Sequence, residues 1–225
     1  MTLTGIADRV DGWVHQGRLY LRVVDYKTGK KSFSLSDVWY GMGLQMLLYL
    51  FALENDGESR YGQPIVPAGV MYLPARAQLQ SVDAGADDET VAKKHAEALR
   101  RSGLVLNDPA LLEAWEKGED KRYIPVKFNA KKGVASGSVA DLEGMGRLSR
   151  HLRLSLTRMA GELHRGSIAA DPYYRSQQED ACQHCDYLEA CYVSDGEDGE
   201  SCRYLPRLKD DKVWELLREE DESHA

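Results

Sequence analysis

Three polar residues near the start of the chain have the types and spacing of a hydrolytic site. Asp25 and Lys27 stand two apart in Val23-Val24-Asp25-Tyr26-Lys27. Residues i and i+2 of an extended strand share a face. The carboxylate and the ammonium should therefore point the same way at the end of an apolar run. Asp8, in Gly5-Ile6-Ala7-Asp8, precedes them at hairpin distance. Two carboxylates beside a lysine make a hard-oxygen site for Mg²⁺ or Mn²⁺. The turn Tyr26-Lys27-Thr28-Gly29 can add a main-chain carbonyl, that of Tyr26. An ion held there lowers the pKa of a bound water and stabilises charge on a phosphoryl oxygen. Lys27 would orient or deprotonate that water, or neutralise the growing charge. An isolated Asp-x-Lys reads first as an ordinary surface pair where a strand turns; the earlier acid, the turn after Lys27 and the helix that follows favour the site. Gln45 and Tyr49, spaced i and i+4 in an otherwise apolar stretch, share one helical face. They serve either a structural hydrogen bond to the sheet or contact with the metal site and a nucleic-acid strand.

A second constellation lies late in the chain. Cys182-x₂-Cys185-x₅-Cys191 is a compact thiolate triad, and ten residues intervene before Cys202. An x₂ spacing lets two sulfurs grip one metal from a tight turn. Thiolates suit zinc or iron–sulfur clusters. Zinc would take the three cysteines with Cys202 or His184. The chain opens without a charged-then-apolar leader, so a cytoplasmic, reducing compartment is expected, where metal binding outweighs disulfides.

These residues need elements to hold them. Runs at 2–14 and 18–26 flank His15-Gln16-Gly17, a hairpin signal. Residues 32–35 read as a short strand, and Ser34 or Ser36 caps a helix running to about Asn55. Ile65 to Leu73 reads as a strand ended by Pro74, giving a mixed α/β layer. Helices are predicted over 87–102 and 108–117, and a strand and loop over 120–137. A long amphipathic helix is predicted over 138–165, with Met145, Leu148, Leu152, Leu156, Met159 and Leu163 as its buried stripe. Arg147, His151, Arg158 and Arg165 fall within about 40° of one another on another face. That face is either solvated or a basic strip touching phosphates. Residues 195–200 and 209–225 read as loop and charged tail, with a short helix at most over 213–217.

Composition bounds the alternatives. The 225 residues are 43% hydrophobic and 29% charged, which excludes wholesale disorder and a disulfide-dense miniprotein. The one strongly apolar run, Leu44 to Leu53, is about half a membrane span, so no membrane partner is expected. The formal charge of −7 is concentrated at the end, where residues 195–225 hold eleven acids against five bases. Net charge therefore does not decide the partner. No G-x-x-x-x-G-K-[ST] occurs, so ATP chemistry is not expected in this chain.

The series G-x-x-D, D-Y-K-[ST] and Q-x-x-x-Y resembles the PD-(D/E)XK nuclease superfamily in its RecB-like branch. Tyr40 to Tyr49, Arg100 to Pro109, Tyr123 to Lys127 and the late cysteines are similar to the C-terminal nuclease domain of the AddB family, the B subunits of bacterial ATP-dependent helicase–deoxyribonucleases. The resemblance implies an α/β, restriction-endonuclease-like core with a central mixed sheet flanked by helices. It would cover residues 1–170, with a helical insertion at about 85–137, a cysteine segment over 171–205 and a charged tail over 206–225. It implies a DNA nuclease acting in double-strand break repair and recombination, paired with an AddA-like helicase–nuclease partner. Asp8 and Asp25 would bind Mg²⁺, Lys27 would be the catalytic lysine, and Gln45 and Tyr49 would lie near the substrate. Cys182, Cys185 and Cys191 would ligate a [4Fe–4S] cluster, the fourth ligand being a cysteine upstream of the nuclease strands. Competing readings are a free-standing CRISPR-associated exonuclease with similar cysteines and a non-catalytic, zinc-stabilised DNA-binding module.

Overall fold

Backbone pairing places the acid-bearing hairpin at one edge of a five-stranded sheet. The computed structural model describes all residues except 1, 30, 77–78, 119–120, 130–133, 192, 194–201 and 225. Strand β1 (Arg9–His15) and strand β2 (Arg18–Lys27) pair antiparallel. Their turn has φ positive at both Gln16 (49°) and Gly17 (73°), the twist-matched hairpin geometry. After β2 come two helices, α1 (Leu35–Trp39) and α2 (Gln45–Tyr61), before strand β3 (Ile65–Pro74) returns parallel to β2. The single helix expected to Asn55 is broken because Gly41 and Gly43 sit at φ 81° and 64°, where an L side chain is strained. Ser34 caps α1 by accepting from the Asp37 amide, as expected. Residues 32–35 form no strand.

Helix α3 (Asp88–Ala98) is followed by strand β4 (Ser102–Leu106), helix α4 (Pro109–Trp115), a β5–β6 hairpin (Val126–Asn129 and Val134–Gly137) and the short strand β7 (Val139–Ala140). Sheet order is β1-β2-β3-β4-β7, with β4 antiparallel to β3 and parallel to β7. The expected insertion is thus partly core. β4 is a central strand, and Leu104, Leu106 and Leu111 lie in the main apolar cluster. Helix α5 (Leu142–His164) carries the anticipated stripe, with Met145, Leu148 and Leu152 buried while Leu163 is exposed.

The remainder comprises β8 (Tyr173–Ser176), β9 (Glu179–Asp180), helix α6 (Leu188–Cys191), β10 (Arg203–Tyr204) and helix α7 (Asp210–Ser223). Strands β10, β8 and β9 form a separate three-stranded sheet. The supposed tail is a 14-residue helix, and Val213 and Leu217 are fully inside the main cluster. That cluster joins α1, α2, α5 and α7 to one face of the large sheet. Val24, Met71, Val105, Leu112, Ile124 and Val126 pack on the other.

One irregularity interrupts β3, while β2 keeps an unbroken register with β1. Leu21 pairs with Pro67 and Arg22 with Gly69, leaving Ala68 unopposed. Val23 lies in the main cluster on the α2 side, and Asp25 and Lys27 follow it by alternation.

Candidate functional site

The site forms where parallel β2 and β3 end. Asp25 lies opposite Tyr72 and Lys27 opposite Pro74. Asp25 is 7% exposed, a costly position for an ionised acid unless a cation attends it. Lys27 Nζ lies 2.6 Å from Asp25 Oδ2, yet that oxygen has no aligned hydrogen-bond donor. The carboxylate raises the Lys27 pKa, through direct side-chain contact with Asp25 first. The same ammonium lies 5.8 Å from the centre of the Tyr72 ring.

Asp8 stands one residue before β1 rather than on it, and is exposed. Its Oδ2 accepts a hydrogen bond from the Tyr26 amide at 3.1 Å. Asp8 is thereby tied to the peptide that joins Asp25 to Tyr26, and its charge also acts on Lys27. Residues 8, 25 and 27 are brought together as the spacing predicts. The Tyr26 side chain turns outward and accepts from Arg9 Nη1 at 3.1 Å, so any role in coordination falls to its main chain. Among the described residues no three His, Cys, Asp or Glu side chains converge on one ion. The residues available to a cation here would be the carboxylates of Asp8 and Asp25 and the Tyr26 main-chain oxygen. An all-oxygen set around a carboxylate as buried as that of Asp25 fits Mg²⁺, which keeps much of its shell as water or substrate oxygen.

Gln45 opens α2, and its Nε2 donates to Tyr49 Oη at 3.0 Å. Among the described residues neither hydrogen-bonds Asp8, Asp25 or Lys27. The link runs through Gly5, against which the Tyr49 ring packs so tightly that a Cβ there would fall 2.5 Å from Oη. Gly5 therefore seats the tyrosine three residues before Asp8. The sequence alone assigns no positioning role to Gly5 or Tyr72. Gly5's signal is the absence of a side chain, which becomes legible only once α2 is known to cross there.

The cysteines gather at one end of the small sheet. Asp180 Oδ1 accepts from the amides of Cys182 (2.7 Å) and Gln183 (2.8 Å), and the Cys185 amide closes the knuckle on the Cys182 carbonyl at 3.1 Å. The Ala181 amide bonds the Tyr173 carbonyl and the Arg203 amide bonds the Pro172 carbonyl, so Cys182 and Cys202 flank the same strand end. Burial raises the Cys182 thiol pKa, followed by the charges of Asp180, Cys185, Cys202 and Cys191. All four cysteines are unbridged. Soft sulfur donors suit zinc or an iron–sulfur cluster, but as placed, among the described residues, no three are close enough to grip one ion. Arg175 anchors the segment, reaching Asp37 of α1 at 2.6 Å and Glu179 at 3.0 Å.

The four residues placed on one face of α5 do not form a common surface. His151 is 3% exposed and stacks on Trp39 at 5.0 Å. Its Nδ1 lies 2.7 Å from Glu220 Oε2 and its Nε2 3.3 Å from the Val38 carbonyl. Arg147 is paired with Glu143 and lies 3.8 Å from Asp221. Arg158 and Arg165 are exposed. Arg147 and His151 therefore meet α7, and only Arg158 and Arg165 of the four are left facing solvent.

A model of the PD-(D/E)XK nuclease superfamily matches residues 1–192. The chain is 31% identical over 223 residues to a protein of Acetivibrio thermocellus named as the B subunit of an ATP-dependent helicase/deoxyribonuclease, covering 98% of this chain and 19% of that protein. Similarity to proteins of the same name is 32% in Clostridium novyi, with 98% and 20% covered, and 30% in Clostridium acetobutylicum, with 98% and 19% covered. The chain thus spans about one fifth of the length of these curated relatives.

Proposed function

The chain belongs to the PD-(D/E)XK nuclease superfamily, and from that premise we propose that it is the DNA-cleaving domain of the B subunit of a helicase–deoxyribonuclease. The observation that carries this is the joining of Asp8, Asp25 and Lys27 at one strand end. Asp8, Asp25 and the Tyr26 carbonyl would hold Mg²⁺, or Mn²⁺. When bound, the ion supplies a Lewis acid and a more acidic water for attack on a phosphodiester. The Lys27 ammonium, held beside Asp25, would offset charge growing on the phosphoryl oxygens. Gln45 and Tyr49 line the approach of the DNA strand.

Similarity to B subunits over nearly the whole chain supports a place in a heterodimer with an AddA-like helicase–nuclease and a role in double-strand break repair and recombination. It also favours this reading over a free-standing CRISPR-associated exonuclease. Cys182, Cys185 and Cys191 would carry a [4Fe–4S] cluster that pins the C-terminal segment, with zinc as the alternative. Four unbridged thiols suit a reducing cytoplasm. No helix among the described residues is long and apolar enough to cross a membrane.

The test is Mg²⁺-dependent cleavage of a single-stranded oligonucleotide by the complete protein in its heterodimer, with the partner's own nuclease site inactivated. Asp25→Ala should lower the rate by about three orders of magnitude, roughly 4 kcal/mol of transition-state stabilisation. Unchanged cleavage would assign the chain to the non-catalytic class.

A further inference from the structure

Resting on the nuclease reading, we propose that the single strand engaged at the metal site continues through a basic cleft between the loop after β2 and helix α3, held at its phosphates by Lys31, Lys94 and Arg100. The cleft, of about 390 Å³, opens directly on Lys27 and Tyr72. Lys31 and Ser32 line the first wall, and Leu73 and Pro74 the floor. Lys94, Glu97, Ala98 and Arg100 line the far wall. Besides Lys27, whose ammonium is paired with Asp25, three cations face one acid, Glu97, among the described lining residues, in a chain whose net charge is −7. A cleft walled by one sign of charge concentrates the opposite sign, and the acid excess of this chain lies in residues 195–225.

Two features show that the cations are set in place. The Phe33 amide bonds Ser102 Oγ at 2.7 Å, fixing the loop that bears Lys31 to the start of β4. Lys94 Nζ donates to the Ser81 carbonyl at 2.7 Å, and an ammonium has two further donors to offer. Helix α3 itself buries none of its side chains. A helix polar all round gains little from the core, so packing does not account for its position beside the cleft. A second cleft of about 570 Å³ shares Glu97 and Arg100 with the first as lining residues and carries Lys93 and Arg122 on its walls.

The experiment measures binding of a fluorescent single-stranded oligonucleotide to this chain in EDTA across a salt series, with cleavage in Mg²⁺ measured in parallel. Each phosphate contact on a single strand contributes about 0.7 to the slope of log K against log salt. Lys31→Gln with Lys94→Gln should flatten that slope by about 1.4 and raise KM while leaving kcat unchanged. Lys212→Gln, on α7, should leave the slope as it is. No binding by the parent chain, or the same slope in the double variant, would overturn the cleft assignment. Asp25→Ala separates this from the nuclease reading, because it should abolish cleavage and keep the salt slope.

Discussion

Asp25 is an acid where the strand would otherwise place a core residue. Its attendant Lys27 was legible from period two alone, since two residues along a strand must share a face. Tyr49's seat was not. Gly5→Ala should push the tyrosine ring off its place and break its bond with Gln45. We expect cleavage to fall about tenfold, on the order of 1.4 kcal/mol, while the melting temperature stays within a few degrees. Full activity would show that the Gln45–Tyr49 pair stands away from the substrate. His151 departs from its expected surface for a definable reason. A helical wheel gives its direction but not what lies there, and its partners, Trp39 and Glu220, come from distant parts of the chain.

At the scale of elements, long periodic segments were readable and short ones were not. α5 and β3 stand close to where their patterns predict. β4 escapes the pattern because five residues with a glycine second, Ser102-Gly103-Leu104-Val105-Leu106, carry too little of it to separate strand from helix. The β8–β9–β10 sheet has strands of four, two and two residues, too few to persist unaided. Metal bound at the cysteines should therefore contribute folding free energy there. The complete protein, purified anaerobically, should contain iron and sulfide, and stripping the metal should accelerate amide exchange in residues 173–191 while the large sheet stays protected. Stoichiometric zinc without iron would replace the cluster assignment. α7 has its own acid sensitivity. Hydrogen bonding from Arg150 lowers the Asp221 pKa. Its contribution is complete above the ordinary aspartate value and is lost as pH falls through the lowered one. Exchange in residues 210–223, corrected for intrinsic rate, should rise below about pH 4, and Asp221→Asn should flatten that dependence.

Across the whole molecule, the C-terminal helix is part of the main core rather than an appendage. Leu217 is 1% exposed, and Leu217→Ala should cost about 2–5 kcal/mol. That would lower the melting temperature by roughly 10 °C for the entire large sheet. Loss confined to residues 210–223 would show α7 to be a separable unit. Charge pattern concealed this: fourteen residues rich in Asp and Glu read as solvated, although Val213 and Leu217, four apart, suffice for an inward stripe. The continuous pairing of β1 with β2 has a further consequence. Tolerance of added or deleted residues must differ sharply along the first hairpin. Lengthening the chain at Gln16–Gly17 leaves Asp25 aimed at α2. One residue gained or lost between Arg22 and Asp25 would carry both carboxylate and ammonium to the opposite side of the sheet, away from Tyr49.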